Sequence, residues 1–470
     1  MPFPQVKPDL FFVISETSLP AKADQVTLQT LSGQLARHSP RIYTIKSANA
    51  SLTPESINDD TTVFWLHDLA VHHNILFNFT YLHNPRGLLR LFAHNISAYV
   101  LYDPTTLSTN AALIRCAAEK GVIAAGTPSM VSFLSDTLGK PMLANLTKST
   151  PLEEFKNSHS RLSKRGMVAQ PDDGSKSNCL SEYAVFARLP TMEHNTDSGK
   201  GKMEAFEAAL NNLDQTQLNA AFGWTSSDEH AFTASVTQAG GMVHASDYAY
   251  NLAVLSQLPK PPTPAPSPLR RTSLSTTTST QVPSQPSCPV HTVAIVNSDG
   301  DNIQLLQNDW VSRTHWNHPL RGRQPAGWSY SPAMAHLMPS VLAYAHRTSS
   351  ANDSLSTGPS GAGYAYPQLF DPLRRQLFAK ATAQLMRASN MTQANVIGVV
   401  PSYVCVCVCV CVCACVRVAV GTYVCVRVAV GTHVCVRVAV DTYVCVRVRV
   451  AIGTYVCMCV CVCVCVCASL

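Results

Sequence analysis

The sequence predicts an α/β protein: small N-terminal α/β domains, a partial β/α-barrel-like C-terminal domain, and a Val/Cys tail without a fold of its own. Three observations carry this reading. Short apolar runs alternate with stretches of helical periodicity from residue 10 onward, the pattern of a mostly parallel sheet. Three later strand candidates run straight into carboxylates, as strand ends do where a sheet or barrel builds its cleft. From residue 404 to 467 the chain is dominated by alternating Val and Cys, with an Arg about every ten residues along part of it, and has no period that buries one face and exposes the other.

The elements follow in order. Residues 10–14 (LFFVI) read as a buried strand. Leu28, Leu31 and Leu35 fall at helical spacing until His38-Ser39-Pro40 stops the helix, and Ile42-Tyr43-Thr44 resumes extended structure. Residues 63–66 are another strand candidate. A helix opens at Pro85 and leads to a strand over 98–102. Residues 111–120 form a helix ended by Gly121, with a strand over 122–125 behind it. Thr127-Pro128 then reads as an N-cap with Pro at the first helical position. No G-x-G-x-x-G follows these strands, so a dinucleotide site is not expected. Residues 156–181 are rich in Ser, Asp and Lys and read as a long exposed loop. Residues 259–289 hold nine of the chain's 30 prolines beside a Ser/Thr run, and read as an extended, disordered insertion. The expected division is therefore N-terminal α/β domains over 9–150, a middle α/β domain over 151–258, the insertion over 259–289, a partial C-terminal domain over 290–400 and a low-complexity tail over 403–470.

Composition excludes several functions. The 470 residues carry a formal charge of +6, but five tail arginines against Asp441 supply +4 of it. The near-neutral body lacks the electrostatic footprint of a nucleic-acid binder. Of 18 cysteines, only Cys116, Cys179 and Cys288 lie before the tail, too few for a disulfide framework. The purest apolar run, 404–416, ends at Arg417 and is too short for a membrane span. A repeating GT dinucleotide reads as alternating Val and Cys codons in every frame, so the tail reads as translated simple-sequence DNA. Six N-x-S/T sequons, at Asn49, Asn78, Asn95, Asn145, Asn352 and Asn390, point weakly to the secretory pathway, although no basic n-region with a long apolar stretch opens the chain.

The chemistry concentrates between residues 221 and 367. A strand over 221–224 runs into Asp228-Glu229, one over 242–245 into Asp247 with Asn251 a turn further on, and one over 293–296 into Asp299-Gly300-Asp301-Asn302. Acids at successive strand ends converge on one pocket and suit paired-carboxylate chemistry such as glycoside hydrolysis. Each has a plainer reading. Ser226-x-x-Glu229 fits a capping box, Asp228 and Asp247 fit helix N-termini, and 299–302 fits an Asx-type turn. Calcium is a third option for that turn, although EF-hand spacing fails. Gly327-Trp328-Ser329-Tyr330 and 361–367 place aromatics in Gly/Pro-bounded loops, to stack on sugar rings or pack beneath the loop. Gly358-Pro359-Ser360-Gly361-Ala362 has Ala where a nucleophile elbow needs Gly, and the pattern predicts no strand immediately before it, so a serine hydrolase is not expected.

Residues 361–367, GAGYAYP, with GWTSSDEHAF, SDYAYNLAVLS, SDGDNIQ and GWSYSPAMAHLMPSVLAY, resemble the GxGYxYP family. That resemblance spans about residues 10–398. It implies small N-terminal α/β domains, a C-terminal β/α domain, an exported protein and a glycoside hydrolase. The chain departs from the family pattern by its break near residue 400, its insertion over 259–289 and the lack of an export signal. The expectation is a carbohydrate-active hydrolase with Asp299 and Asp301 in acid/base or nucleophile roles. Asp228, Asp247, Asn251 and Asn302 would surround the sugar, with Trp328, Tyr364 and Tyr366 as stacking surface. A carbohydrate is the expected partner; no cofactor, metal, nucleic acid or membrane span is expected. A non-catalytic carbohydrate-binding or cell-surface protein on the same scaffold is the alternative.

Overall fold

The computed structural model describes residues 10–19, 21–48, 60–106, 108–171, 179–197, 200–259, 295–397 and 406–409. The chain opens with β1 (Leu10–Ser15), α1 (Lys22–Ala36), β2 (Ile42–Ile45), α2 (Thr61–His73), β3 (Leu76–Asn78) and α3 (Pro85–Leu91). Its strands pair in parallel in the order β2-β1-β3. A second three-stranded parallel sheet, β5-β4-β6, is built from β4 (Ala98–Leu101), α4 (Thr109–Ala118), β5 (Val122–Ala125), α5 (Pro128–Ser132) and β6 (Met142–Asn145). The leucines of α1 do mark a helix, but the helix is buried nearly all round. Its polar side chains are therefore paired: Gln34 Nε2 donates to the Cys116 and Val122 carbonyls at 2.8 Å each, and Gln34 Oε1 accepts from Gly121 N at 3.0 Å.

Residues 63–66, expected as a strand, lie inside α2. β-branched and aromatic residues give this stretch strand propensity, but packing overrides it. Asp60 caps the helix, Oδ1 accepting from Thr62 N at 2.8 Å. Its Trp65 is fully buried and donates to the Gln307 carbonyl at 2.6 Å.

A four-stranded parallel sheet, β10-β9-β7-β8, follows. It comprises α6 (Pro151–Ser158), β7 (Gly166–Ala169), α7 (Ser181–Ala187), β8 (Thr191–Met192), α8 (Lys200–Asn211), β9 (Asn219–Gly223), α9 (Glu229–Gln238), β10 (Gly241–His244) and α10 (Leu252–Leu255). The exposed loop expected over 156–181 is thus corrected. It contains the end of α6 and β7, an interior strand with all four residues buried. A strand covered on both faces has no alternation to read.

The last sheet, β11-β12-β13-β14-β15, is parallel through its first four strands and closed by an antiparallel fifth. Its elements are β11 (Val296–Asn297), α11 (Ile303–Gln307), β12 (Ala326–Tyr330), α12 (Met334–Leu337), α13 (Pro339–Thr348), β13 (Asp353–Thr357), α14 (Pro372–Ala388), β14 (Gln393–Val396) and β15 (Val406–Cys409). β15 belongs to the Val/Cys stretch, so four residues of that tail do pair with the body. The rest of the repeat, and residues 260–289 of the insertion, lie outside the described residues.

The two larger sheets meet as a partial barrel. Val243 of β10 exchanges backbone hydrogen bonds with Tyr364 at 2.8 and 2.9 Å, and Gln304 N donates to Ala245 O at 3.3 Å. One apolar cluster joins the first sheet to the barrel through residues such as Phe11, Trp65, Leu180, Trp310 and Met338. Among the described residues no helix is long and apolar enough to cross a membrane.

Candidate active site

The ends of β9 and β11 bring Glu229 and Asp301 within electrostatic reach along one rim, and Asp301 is its most perturbed carboxyl. The segment after β11 turns sharply: Asp299 adopts φ 66°, and Asn302 N donates to the Asp299 carbonyl at 3.1 Å. Asp is among the few residues that tolerate this left-handed geometry. A Cβ on Gly300 would overlap the Ser329 carbonyl, and one on Gly358 would overlap the Asp301 backbone, so glycine is required at both. Gly300 N also donates to Ser329 Oγ at 2.8 Å. The turn is thus clamped between the ends of β12 and β13.

Asp299 points outward and is exposed, while Asp301 is half-buried. Although part of Asp301 stays accessible, protein crowds its carboxyl. Burial is the main cause that pushes it up to about 7; its own backbone N–H opposes this, and the charges of Asp299 and Glu229 add to it. This carboxyl therefore keeps its proton only below about pH 7.

Glu229, whose plainer reading from sequence is the capping box, joins the rim. Asp228, not Ser226, caps α9: its Oδ1 accepts from Ala231 N at 2.7 Å. Glu229 is the first helical residue, its carboxylate exposed on the rim, and Oε1 accepts from the Tyr364 hydroxyl at 2.8 Å. The Tyr364 ring stacks on Trp224 (centroids 6.0 Å apart, planes at 28°) and meets the edge of Tyr366 at 6.0 Å. Tyr366 in turn lies 5.2 Å from the His230 ring. The sequence signal that could have paired Glu229 with Tyr364 was the presence of SSDE and GYxYP in one fold, but the two are 135 positions apart.

Several expected site residues are committed elsewhere. Trp328 lies in β12, not in a loop, and is 7% exposed. Its Nε1 donates to Asp353 Oδ1 at 2.8 Å and its ring packs edge-on against Trp310 and Trp316. Asn251 is buried, its amide spent on Thr44: Oδ1 accepts from Thr44 N at 2.8 Å and Nδ2 donates to Thr44 O at 2.9 Å. Asn302 caps α11, accepting from Leu305 N at 3.2 Å. Tyr364 and Tyr366, 8% and 6% exposed, offer little open ring face. Asp247 is buried at the end of β10.

Beneath the rim lie two buried histidines. His244 is pushed down to about 3 by burial and is a neutral imidazole beside Phe222. His194 is also lowered by burial, and its Nδ1 shares a 2.8 Å hydrogen bond with Thr225 Oγ1. Among the described residues no group of three or more His, Cys, Asp or Glu side chains is placed to hold a metal ion. A shallow cavity of about 330 Å³ lies between α6 and α8, lined by Phe155, Lys156, His159, Ala208, Asn211 and Asn212, with none of the rim acids in its wall.

Fold and rim together define an α/β protein with a partial barrel and carboxylates at its strand ends. Its sequence is matched by models of three domains: "GxGYxYP_N 1st domain" over residues 10–94, "GxGYxYP third domain" over 165–257 and "GxGYxYP putative glycoside hydrolase C-terminal domain" over 289–404. The chain belongs to the GxGYxYP family. Among solved structures it is similar to a "putative hydrolase" from Bacteroides thetaiotaomicron, with a TM-score of 0.65 and 21% identity, covering 84% of this chain and 72% of that one. At that identity the likeness speaks for the fold. No curated protein matches the chain.

Proposed function

We propose that the protein hydrolyses a glycosidic bond, with Asp301 as general acid and Glu229 as the opposing carboxylate. The observation that carries this reading is the contrast between the two: a carboxyl kept protonated to about pH 7, within electrostatic reach of an exposed carboxylate fixed by a tyrosine hydroxyl. Asp301 would protonate the leaving oxygen, while Glu229 attacks the anomeric carbon or activates a water. Asp299, on the outer side of the same turn, supplies negative charge that helps keep the proton on Asp301. Asp228, exposed at the N-cap of α9 beside Glu229, and Trp224, stacked on Tyr364, would contact the sugar. Asn251, Asn302 and Trp328 leave the proposed set because the fold uses them.

A panel of aryl glycosides with different sugars tests this. Wild-type protein should release the aryl group from at least one of them, and Asp301→Asn and Glu229→Gln should each lower kcat by about 10²–10⁴. Sugar binding without turnover would favour the non-catalytic carbohydrate-binding alternative. Near-wild-type turnover by both variants would remove this pair.

A further inference from the structure

The motif that names the family is built around the placement of one hydroxyl. Residues 361–367 are held at almost every position. Ala362 N donates to Thr382 Oγ1 at 3.0 Å, and Ser360 Oγ donates to the Ala365 carbonyl at 2.7 Å. Tyr364 is pinned by both of its backbone groups to Val243, and Tyr366 N donates to Thr237 Oγ1 at 3.3 Å. Ala362 and Ala365 are fully buried. A loop fixed to a strand edge and two helices cannot adapt its aromatics to a ligand. The Tyr364 ring is covered on one face by Trp224 and at its edge by Tyr366. What it presents is its oxygen.

That oxygen donates to Glu229 Oε1. We propose that Tyr364 is a positioning residue whose hydroxyl fixes the Glu229 carboxylate so that its second oxygen is presented to the reacting sugar. The inference rests on the reading of Glu229 as the carboxylate opposite Asp301. The physical need is plain. Glu229 is exposed at the first position of a helix, and a free glutamate there must give up rotamer freedom when one geometry is demanded. A neutral phenol that stays protonated can hold it without adding charge. Burial, followed by the hydrogen bond to Glu229, pushes the Tyr364 hydroxyl far above its ordinary range, so it remains a donor at any working pH. Tyr366, packed edge-on against the Tyr364 ring, limits the swing of that ring.

Tyr364→Phe keeps the ring and its stacking while deleting the donor. Misplacement of a reacting group by about 1 Å can cost on the order of 10²-fold. We therefore expect kcat to fall about 10–100-fold with KM within about twofold of wild type. In a Glu229→Gln background the same change should cost less than about twofold, because residues acting as a unit are not additive. An equal loss in both backgrounds, or a variant that unfolds although its ring is retained, would assign the hydroxyl to the fold and overturn the proposal. A crystal structure of Tyr364→Phe gives an answer independent of turnover. The Glu229 carboxylate should leave its position while Trp224 and the Phe ring stay in place; a carboxylate that does not move overturns the inference. If wild-type protein cleaves no glycoside yet the carboxylate moves, the hydrolase reading fails and takes the presentation to a sugar with it, while the hydroxyl's hold on the Glu229 carboxylate stands.

Discussion

Asp301 decides how the rim behaves with pH. Its folded value of about 7 lies above the ordinary aspartate value near 3.9. A raised folded value means that the fold favours the protonated form. The stabilising contribution is present in full below about pH 3.9, declines above it and is gone once the pH passes about 7. The same proton is the one a general acid must deliver, so activity should fall on the alkaline side with a midpoint near 7. The two effects can be read in one variant. Asp301→Asn should lose turnover at every pH, yet melt at a higher temperature than wild type at pH 8 and not at pH 4. An asparagine variant that is less stable at both values would mean that the carboxyl serves the turn and not the chemistry. At this scale the sequence discloses part of the site. Asp299 and Asp301 are neighbours on the page, and Gly300 between them announces the bend. That Glu229 belongs beside them depends on which of two caps α9 uses, and Asp228 and Ser226 are indistinguishable until the helix start is fixed.

Among the elements, those ended by a clear stop are legible, and those masked by burial are not. α4 is marked by the Gly121 behind it, although every one of its residues but Arg115 is buried; α2 and β7 do not show themselves, because β-branched residues mask the one and full coverage the other. α1 is the intermediate case, since its leucines mark a helix while its buried glutamine and threonines reveal that neighbours surround it. One of those neighbours supplies a second pH-sensitive group. Glu182 of α7 is 3% exposed and packs against α1 and α10, accepting from Ser32 Oγ at 3.1 Å and Ala253 N at 3.2 Å. Burial pushes its carboxyl up to about 7, those two donors opposing. Its contribution to stability is therefore full below about pH 4.5 and lost by about pH 7. Glu182→Gln keeps the shape and removes the titration. Between pH 5 and 8 the melting temperature of the variant should fall less steeply than that of wild type, and parallel curves would show that Glu182 does not ionise in the folded protein.

Across the whole molecule, the question is whether the N-terminal sheet and the rim of strand-end acids fold as one unit. The sequence divides the chain into blocks by composition, but composition cannot show what one block lays on another. The structure answers through α2. Trp65, fully buried, donates to the Gln307 carbonyl at the end of α11, and Phe64 and Trp65 meet Tyr344 of α13 edge-on at 5.3 and 5.5 Å. Asp68 pairs with Arg347 beside them. α11 begins immediately after the 299–302 turn, so α2 buttresses the element that the acid turn leads into. Trp65→Ala removes a large buried ring and should cost about 3–5 kcal/mol. Trp65→Phe keeps most of the ring but leaves the Gln307 carbonyl without its donor, for about 1–3 kcal/mol. If sheet and rim are one cooperative unit, calorimetry should show a single transition that moves down in both variants, further for Ala. Hydrogen exchange around residues 299–307 should then rise along with that in α2. Two transitions, of which only one moves, with exchange at 299–307 unchanged, would show that the N-terminal sheet is an independent attachment and that the rim stands without it.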